Sequence, residues 1–406
     1  MSPEARSPAA VARSSAARAP GALLLVVTYI GFISLGLPDG LLPVAWPSVQ
    51  AALARAQTDL GVLLLVYGAA YFVAGFIAHR LIQRFRLSSV LTATSLLVAA
   101  GLTAFAFAPH WPQLVAATLA MGLGAGIINT AINARAAAAF TATHVNWLHA
   151  CYSLGAALGP LLLAAVMAHG VGWRAGYWFA AFVPAVMAAI YFVTRAQWSA
   201  PVKPEADVAQ SPAGMRDVLG HELIRVQITA IVCYSAVEQI LGRWYYTLAT
   251  EHRGIDPKVA AIGTSLYFGS IFVGRAVLGA LIAHVGADRM VRIATVGALL
   301  GTLCFASAPS TLGTVGLVIA GLCLGPIFPT LIYQTAGRVP ASLRVAAVGV
   351  SVSAAILGSA TAPYLAGLLA QQGGPGVIGW LAVLAGVGLF VLNERLARGS
   401  LPQAAR

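Results

Sequence analysis

The chain has 406 residues, of which 59% are hydrophobic and only 9% are charged, and its formal net charge is +12. A soluble domain carries about 25% charged residues, so this composition excludes an ordinary soluble protein. The basic residues fall singly or in small groups between long apolar runs, as they do in membrane loops, and this distribution argues against nucleic-acid binding.

Residues 1–21 are rich in Ala, Ser, Pro and Arg and have too few large apolar side chains to fold alone. We expect them to form a disordered cytoplasmic N-terminus. The apolar run that follows extends from Ala22 to about Trp46, which is longer than the apolar region of a signal peptide. It is therefore predicted to be the first membrane helix.

A membrane-spanning helix needs about 20 mostly apolar residues. The predicted spans are 22–46, 58–79, 88–108, 113–134, 146–168, 174–194, 223–247, 258–284, 290–308, 312–335, 343–370 and 376–394.

Lysines and arginines in the loops predict the orientation of these spans. With the N-terminus in the cytoplasm, 18 of the 24 basic residues fall in inside segments and four in outside segments. The remaining two, Arg243 and Arg275, lie within spans. This bias predicts a multi-pass membrane protein with both termini in the cytoplasm. We expect its location to be a bacterial-type inner (cytoplasmic) membrane.

The long polar segment 195–222 separates six spans from six others and is predicted to be a cytoplasmic linker. It would divide the chain into an N-terminal bundle (22–194) and a C-terminal bundle (223–395), followed by a cytoplasmic tail (396–406). The two halves also resemble each other at an offset of about 200–205 residues: Gly155 and Pro160 of the fifth span match Gly358 and Pro363 of the eleventh. The predicted fold class is an all-α membrane protein with twelve transmembrane helices in two pseudo-symmetric six-helix bundles, with a site between the halves.

Two acidic residues lie deep within predicted spans, Asp39 and Glu238. Ionisable groups inside a bilayer are costly and mark functional sites. Asp39, near the middle of the first span, is the leading candidate for a proton-coupling group. The alternative is a structural carboxylate that bonds backbone groups freed by Pro38 and Pro43.

Glu238 shares a helix face with Tyr234 in the seventh span, and is predicted to titrate, to bind substrate or to pair with a basic residue. Arg243 lies near the predicted outer end of that span, where its side chain would extend to the membrane interface. Arg275, in the eighth span, is predicted to serve as a gate or in an ion pair between helices.

Polar and aromatic residues of three spans form a predicted substrate site. Asn129 and Asn133 are four residues apart, and His149 and Tyr152 are three apart, so each pair shares one helix face. These side chains would bind a polyol, whereas the alternative is hydrogen bonding between helices. The predicted substrate-binding residues are Asn129, Asn133, His149, Tyr152, Tyr234, Glu238 and Trp244.

The segment after the second span, Gly75-Phe-Ile-Ala-His79-Arg80 followed by Arg84, resembles the signature loop of the major facilitator superfamily. It departs from that signature at His79, where Asp is usual, and at Arg86, where Gly is common. The equivalent loop after the eighth span contains Asp288 and Arg289. The resemblance implies the twelve-helix fold of secondary transporters, and a gating or conformational role for Gly75, Arg80, Arg84, Arg275, Asp288 and Arg289.

Within that superfamily, the chain is similar to the fucose permease-like sugar:proton symporters and a related bacterial branch without assigned substrates. The similarity lies in the segments Asp39–Pro43, Asn129–Asn133, Asn146–Gly155 and Pro326–Thr330, together with Glu238 and Trp244. The carboxylate that this family has in the fourth helix is replaced here by Asn129. Proton coupling would then depend on Asp39, with Glu238 as a second candidate.

The sequence thus predicts a secondary transporter that moves a small polar solute, such as a sugar, by alternating access with proton coupling through Asp39. Proton-antiport efflux of a drug-like compound or metabolite is the alternative. The four cysteines lack metal-ligand spacing, and the chain has no P-loop or nucleophile elbow. We therefore expect no metal, no cofactor and no enzyme activity, and as partners a small-molecule substrate, protons and the lipid bilayer around a monomer.

Overall fold

A computed structural model of the protein describes residues 21–198, 215–308 and 310–399. Residues 1–20 of the predicted N-terminus, 199–214 of the predicted linker and 400–406 of the predicted tail lie outside the described residues. In the described part of the chain all regular structure is helical, and twelve helices are long and apolar enough to cross a membrane. The predicted fold class is confirmed.

The twelve helices begin and end close to the predicted positions. They are α1 (Ala22–Ala52), α2 (Asp59–Arg84), α3 (Leu87–Phe107), α4 (Trp111–Ala139), α5 (Ala142–Ala168), α6 (Trp173–Val193), α7 (Glu222–Thr247 with the π-helical Leu248–His252), α8 (Pro257–Val273, the π-helical Gly274–Leu278 and Gly279–Val285), α9 (Ala287–Ser307), α10 (Ser310–Leu324 and Ile327–Arg338), α11 (Arg344–Gly373) and α12 (Gly376–Gly399).

Two helices differ from the prediction in ways that bear on the site. The helical backbone of α7 continues through His252, five residues beyond the predicted end of the span, which places Arg243 deeper in the helix than expected. The other, α10, is interrupted before Ile327, because Pro326 has no backbone N–H to continue the helical hydrogen bonds. Hydropathy places the end of α7 too early because the last turn of that helix contains the polar residues Glu251 and His252.

Each half of the chain packs chiefly on itself, with α1 against α5 and α3 against α6 in the first half, and α7 against α11 and α9 against α12 in the second. The halves meet chiefly along three pairs of helices, α1 with α7, α2 with α11, and α5 with α8, and α1 also touches α8. Because consecutive spans cross the bilayer in opposite directions, the odd-numbered helices all begin on one side. We call that side the terminal side and the opposite one the distal side.

Candidate functional site

A cavity of about 270 Å³ lies between the two halves. Its volume is close to the lower end of the range of about 300–1,000 Å³ for small-molecule sites. The described residues that line it are Phe32, Asp39, Leu64, Tyr67, Gly68, Tyr71, Asn129, His149, Tyr152, Tyr234, Ser235, Glu238, Gln239, Arg243, Arg275, Phe328, Pro329, Val352, Ala355, Ile356, Ser359 and Ala360.

Asp39 of α1 is paired with a base from the other half of the molecule. A guanidinium nitrogen of Arg243 in α7 lies 3.2 Å from its carboxylate, and another donates a hydrogen bond of 2.6 Å to the Asp39 backbone carbonyl. The same carboxylate oxygen accepts a hydrogen bond from the Tyr152 hydroxyl of α5. The side chains of Asp39 and Arg243 are only 17% and 7% exposed. The pair therefore joins the halves across a largely desolvated contact.

The prediction that Arg243 reaches the membrane interface is wrong. Its residue is 6% exposed, and its Nε donates to the Gln239 side chain at 3.1 Å. Because α7 continues beyond the predicted end of the span and crosses α1, the guanidinium finds a carboxylate inside the bundle. Arg243 follows Asp39 by 204 residues, within the offset of the internal repeat, so the two lie at nearly equivalent positions of the two halves.

A second ion pair joins Glu238 of α7 to Arg275 of α8, with 3.5 Å between the charged atoms. Arg275 also donates to the Ser153 hydroxyl at 2.7 Å and to the His149 backbone carbonyl at 3.2 Å, both in α5. Its Nε is buried without a hydrogen-bond partner in the described part of the chain. Arg275, like Arg243, thus bonds across the boundary between the halves.

The π-helical turn of α8 determines how Arg275 is presented. A π turn widens the helix and leaves backbone carbonyls free for other donors. The Arg275 carbonyl accepts a hydrogen bond of 3.0 Å from the Asn146 side chain of α5. Next to it, Gly274 packs so closely on the Leu322 backbone of α10 that a side chain there would overlap it. These contacts fix the position of the Arg275 backbone between the two halves.

Glycines bring α5 close enough to α1 for Tyr152 to reach Asp39. Gly36 and Gly40 flank Asp39 on α1, and a Cβ on either would overlap the backbone carbonyl of Tyr152 or Ala156. On α5, Gly155 and Gly159 likewise face the α1 backbone. Small residues spaced four apart allow such close approach of membrane helices. The site therefore depends on two interlocked glycine pairs.

The distal side of the cavity is closed by contacts between α2 and α11. The Gln371 side chain donates to the Thr58 hydroxyl at 2.9 Å, and Gly61 packs against Tyr364. Toward the terminal side, by contrast, the lining residue Val352 in the first third of α11 is 41% exposed. The cavity is therefore accessible from the terminal side and shut from the distal side.

Most of the predicted substrate-binding residues come together in this cavity. Asn129, His149, Tyr152, Tyr234 and Glu238 all line it. The ring of His149 meets that of Phe32 edge to face, with 5.6 Å between their centroids, and Tyr234 stacks on Phe328 at 5.9 Å.

Two predicted substrate-binding residues do not line the cavity. Trp244 is fully buried, its indole donates to the Pro363 carbonyl at 2.9 Å, and its ring packs on Gly367. Its role in this structure is to hold α7 against α11, because the indole needs a hydrogen-bond partner when buried. Asn133 lies behind Asn129 and donates to its side-chain oxygen at 3.1 Å. Direct substrate contact by Trp244 or Asn133 is not supported by this arrangement.

The predicted gating residues divide into two groups. Arg275 lies in the cavity itself, whereas the others are at the terminal end of the bundle. Asp288 pairs there with Arg338 at 3.5 Å and accepts a hydrogen bond of 2.6 Å from Gln334. The remaining members are exposed or partly exposed: Gly75 in the second half of α2, Arg80 and Arg84 near its end, and Arg289 at the start of α9. Their gating role stays a prediction.

Sequence reasoning missed three features of the site. Arg243 was assigned to the interface, although its offset from Asp39 matches the internal repeat and signalled an equivalent position. Gly36 and Gly40, with Gly155 and Gly159, form small-residue motifs that are visible in the sequence. Ser153 carried no signal, because a single serine in a membrane helix usually bonds its own backbone.

The sequence matches the family model described as Major Facilitator Superfamily over residues 28–351 and again over 244–405. Among characterised proteins, it is similar to the 3-(3-hydroxy-phenyl)propionate transporter of Escherichia coli (strain K12). The two are 28% identical over 323 residues, which cover 73% of this chain and 76% of the relative.

The fold is similar to that of solved transporters. A crystal structure of the major facilitator superfamily transporter FucP in the outward conformation has a TM-score of 0.64 and 14% sequence identity, covering 92% of this chain and 98% of that one. A variant of the Escherichia coli fucose:proton symporter FucP has a TM-score of 0.63 and 17% identity over the same shares. With twelve membrane helices, a cavity between the halves and a family match over most of its length, the chain belongs to the major facilitator superfamily and is a multi-pass membrane transporter.

Proposed function

We propose that the protein is a proton-coupled secondary transporter of a small polar solute, with Asp39 as the proton-binding group. The observation that carries the proposal is the position of the Asp39 carboxylate, which lines the cavity and is bonded to both halves through Tyr152 and Arg243. We further propose that the protein is a monomer of an inner membrane with both termini in the cytoplasm.

Coupling follows from the charge balance of the cavity. Asp39 and Glu238 are each neutralised by one arginine, so the four groups carry no net charge. Protonation of Asp39 leaves Arg243 without its anionic partner and weakens the contact between α1 and α7. Proton binding thereby favours separation of the halves on the distal side, where substrate enters. Glu238, which pairs with Arg275 of α8, is a second candidate for the proton-binding group.

The substrate class that the proposal favours is a small hydroxylated solute such as a sugar. Asn129, Tyr67 and Tyr71 provide amide and hydroxyl groups in the cavity, and Phe328 offers an apolar ring face. The FucP structures, which share this fold, include a fucose:proton symporter. Proton-antiport efflux of a drug-like compound or metabolite would use the same carboxylates in the opposite direction.

An aromatic carboxylate is a second candidate substrate, and a specific observation favours it. Arg275 lines the cavity, and its 3.5 Å contact with Glu238 is long for an ion pair, so a carboxylate of the substrate can pair with the same guanidinium. Tyr234 and Phe328 would stack on the aromatic ring. The similar protein of Escherichia coli is a transporter of 3-(3-hydroxy-phenyl)propionate.

A ligand screen followed by a flux assay tests the proposal. Purified protein is first screened by thermal shift against neutral sugars, aromatic carboxylates and amphiphilic drugs at several pH values. The best ligand is then offered to proteoliposomes with an imposed proton gradient. Asp39→Asn should abolish gradient-driven accumulation while leaving substrate exchange partly intact, because only the proton step is removed.

The matched control is Glu251→Gln, which removes an exposed carboxylate at the distal end of α7, away from the cavity lining. It should transport like the parent protein. Undiminished accumulation by Asp39→Asn would remove Asp39 from the coupling mechanism, and accumulation without any gradient would contradict proton coupling altogether.

A further inference from the structure

Four polar side-chain atoms in the distal part of α1, α6 and α7 are buried without a hydrogen-bond partner in the described part of the chain. They are the indole Nε1 of Trp46 and the Oε1 of Gln50 in α1, the Tyr177 hydroxyl in α6 and the Thr247 hydroxyl in α7. Trp46 and Thr247 are fully buried, and Tyr177 is 1% exposed. Buried polar atoms are normally bonded to protein or to ordered water. We call these four groups the buried polar line.

The groups of α1 and α7 extend from the Asp39–Arg243 pair toward the distal ends of both helices. Trp46 and Gln50 follow Asp39 by seven and eleven residues, which places them on the same face of α1. Thr247 follows Arg243 by four residues and shares its face of α7. Gln50 lies in the last turn of α1. At 1.5 Å per residue, the distance along α1 from the carboxylate to this turn is about 17 Å.

Tyr177 connects the buried polar line to the ion pair from a third helix. Its hydroxyl interacts electrostatically with both Arg243 and Asp39, although the residue does not line the transport cavity. The ring is held by its neighbours, since it stacks on Phe105 at 4.3 Å and meets Trp173 edge to face at 6.1 Å. The hydroxyl therefore approaches the ion pair from a side that does not face the cavity.

The other titratable groups near Asp39 lie on the cavity side. In the described part of the chain, the titratable side chains that bond or interact electrostatically with Asp39 come from four helices: Tyr67 and Tyr71 of α2, Tyr152 of α5, Tyr177 of α6 and Arg243 of α7. All of them except Tyr177 line the cavity. The carboxylate thus faces the cavity on one side and the buried polar line on the other.

Prolines of α1 add free backbone acceptors to the same region. Pro43 has no N–H to bond the carbonyl of Asp39, and Arg243 donates to that carbonyl instead. Pro47 likewise frees the Pro43 carbonyl from its helical hydrogen bond. A buried water is stable where it has two to four polar partners. The freed carbonyls and the unpartnered side chains together provide such partners.

We propose that the buried polar line holds a row of ordered waters that carries protons from the distal surface to Asp39. The inference rests on the proposed function, in which Asp39 binds the proton, and adds the route by which the proton arrives. A proton taken up by the outermost water passes along the hydrogen bonds of the row, and the Asp39 carboxylate becomes a neutral carboxyl.

This route is separate from that of the substrate. Substrate entry from the distal side requires the contacts between α2 and α11 to part, whereas the buried polar line follows α1, α6 and α7. Protonation of Asp39 therefore precedes opening of the cavity, and it weakens the bond to Arg243 that joins the halves. The positive charge of Arg243 repels a further proton. The row of waters thus loads one carboxylate without conducting protons into the cavity.

X-ray footprinting of the purified full-length protein tests for the waters directly. Radiolysis of ordered water produces hydroxyl radicals, which label the side chains bonded to that water even where they are buried. We expect Trp46 to be labelled severalfold faster than Trp244. The same difference is expected between Tyr177 and Tyr267. The two controls are just as buried, but their polar atoms donate to backbone carbonyls of the protein. Equal rates within each pair would overturn the proposal.

A flux assay separates a proton route from water that only fills space. Tyr177→Phe keeps the packed ring and removes the hydroxyl, so it should slow proton-driven accumulation in proteoliposomes severalfold. Substrate exchange needs no net proton movement and should fall less. Tyr191→Phe is the matched control, because Tyr191 is a buried tyrosine of the same helix whose hydroxyl is also without a partner among the described residues but lies away from Asp39. Equal accumulation by the two variants would overturn the route.

Failure of this inference differs from failure of the proposed function. Undiminished accumulation by Asp39→Asn would remove the carboxylate as the proton-binding group, and the route to it would fall as well. Equal labelling of Trp46 and Trp244, with accumulation still lost in Asp39→Asn, would overturn the row of waters alone. Faster labelling of Trp46 and Tyr177 together with slow accumulation by Tyr177→Phe supports the proposal.

Discussion

Arg243 and Arg275 are charged residues in the interior of a membrane protein. The charge of Arg243 is compensated by Asp39 of the other half, and that of Arg275 by Glu238 of its own half. The Asp39–Arg243 pair is the more tightly bonded, since its atoms approach to 3.2 Å and the backbone carbonyl of Asp39 accepts a further hydrogen bond. Removal of one member of a buried pair leaves an uncompensated charge, whereas removal of both does not. The pair is therefore best probed by a double-mutant cycle.

We predict that Arg243→Gln lowers the free energy of unfolding by about 3 kcal/mol, because it strands the Asp39 carboxylate. Asp39→Asn combined with Arg243→Gln should recover part of that loss, since neither charge remains. Thermal unfolding in detergent measures both effects, with exposed Arg398→Gln as the control. Strictly additive effects of the two substitutions would show that the residues do not interact.

The positions of the site residues are determined by how the helices pack against one another more than by the helix propensity of each segment. The glycines of α1 and α5 remove the Cβ atoms that would otherwise separate the two backbones, and Tyr152 reaches Asp39 only across that contact. In α8 the π turn gives up one regular hydrogen bond and offers the Arg275 carbonyl to Asn146. Local irregularities of single helices therefore determine which polar groups meet.

We predict that Gly155→Val destabilises the protein by roughly 1–3 kcal/mol, the cost of overpacking, because its side chain would overlap the Ile33 backbone. Ligand affinity should fall with it as Tyr152 is pushed away from Asp39. The control is Gly349→Val in α11, where no atom lies within 4 Å of the added Cβ. Comparable unfolding temperatures for the two variants would contradict tight α1–α5 packing.

At the scale of the whole molecule, contacts between α2 and α11 join the two halves on the distal side. Thr58 and Gln371 bond there, and Gly61 and Gly68 let α2 lie against Tyr364 and Ala360. The cavity is shut on this side and accessible from the other. Alternating access requires these contacts to break while others form at the terminal side.

We predict that Gly61→Trp shifts the population toward a state open on the distal side, because an indole cannot fit beside Tyr364. In a protein without its native cysteines, Thr58→Cys and Gln371→Cys should crosslink readily. The crosslinking yield should fall severalfold when Gly61→Trp is added. Ala100→Trp, on the exposed face of α3, is the control and should leave the yield unchanged.

The orientation in the membrane is tested by labelling. We predict that Ser211→Cys in the linker reacts with a membrane-impermeant reagent only from the cytoplasmic side, as the distribution of basic residues requires. Labelling of intact cells from outside would reverse the assigned topology.

The sequence by itself determined the twelve spans and their division into two six-helix bundles. The length of an apolar run is a local property of the chain, and the thickness of the bilayer sets the length that a spanning helix needs. It also identified Asp39 and Glu238, since acidic residues in apolar runs are rare enough to stand out. Five of the seven predicted substrate-binding residues line the cavity, which follows from helix periodicity and from the resemblance to known transporters.

Only the tertiary structure decided which charges pair and which side chains face the cavity. The sequence predicts Arg243 at the membrane interface, but α7 crosses α1 and the arginine pairs with Asp39. It predicts Trp244 in the substrate site, but the indole donates a hydrogen bond to Pro363 of α11. These outcomes depend on where helices far apart in sequence cross, and neither hydropathy nor residue spacing contains that information. The closed distal side is likewise a contact between α2 and α11, so no local pattern in the chain encodes it.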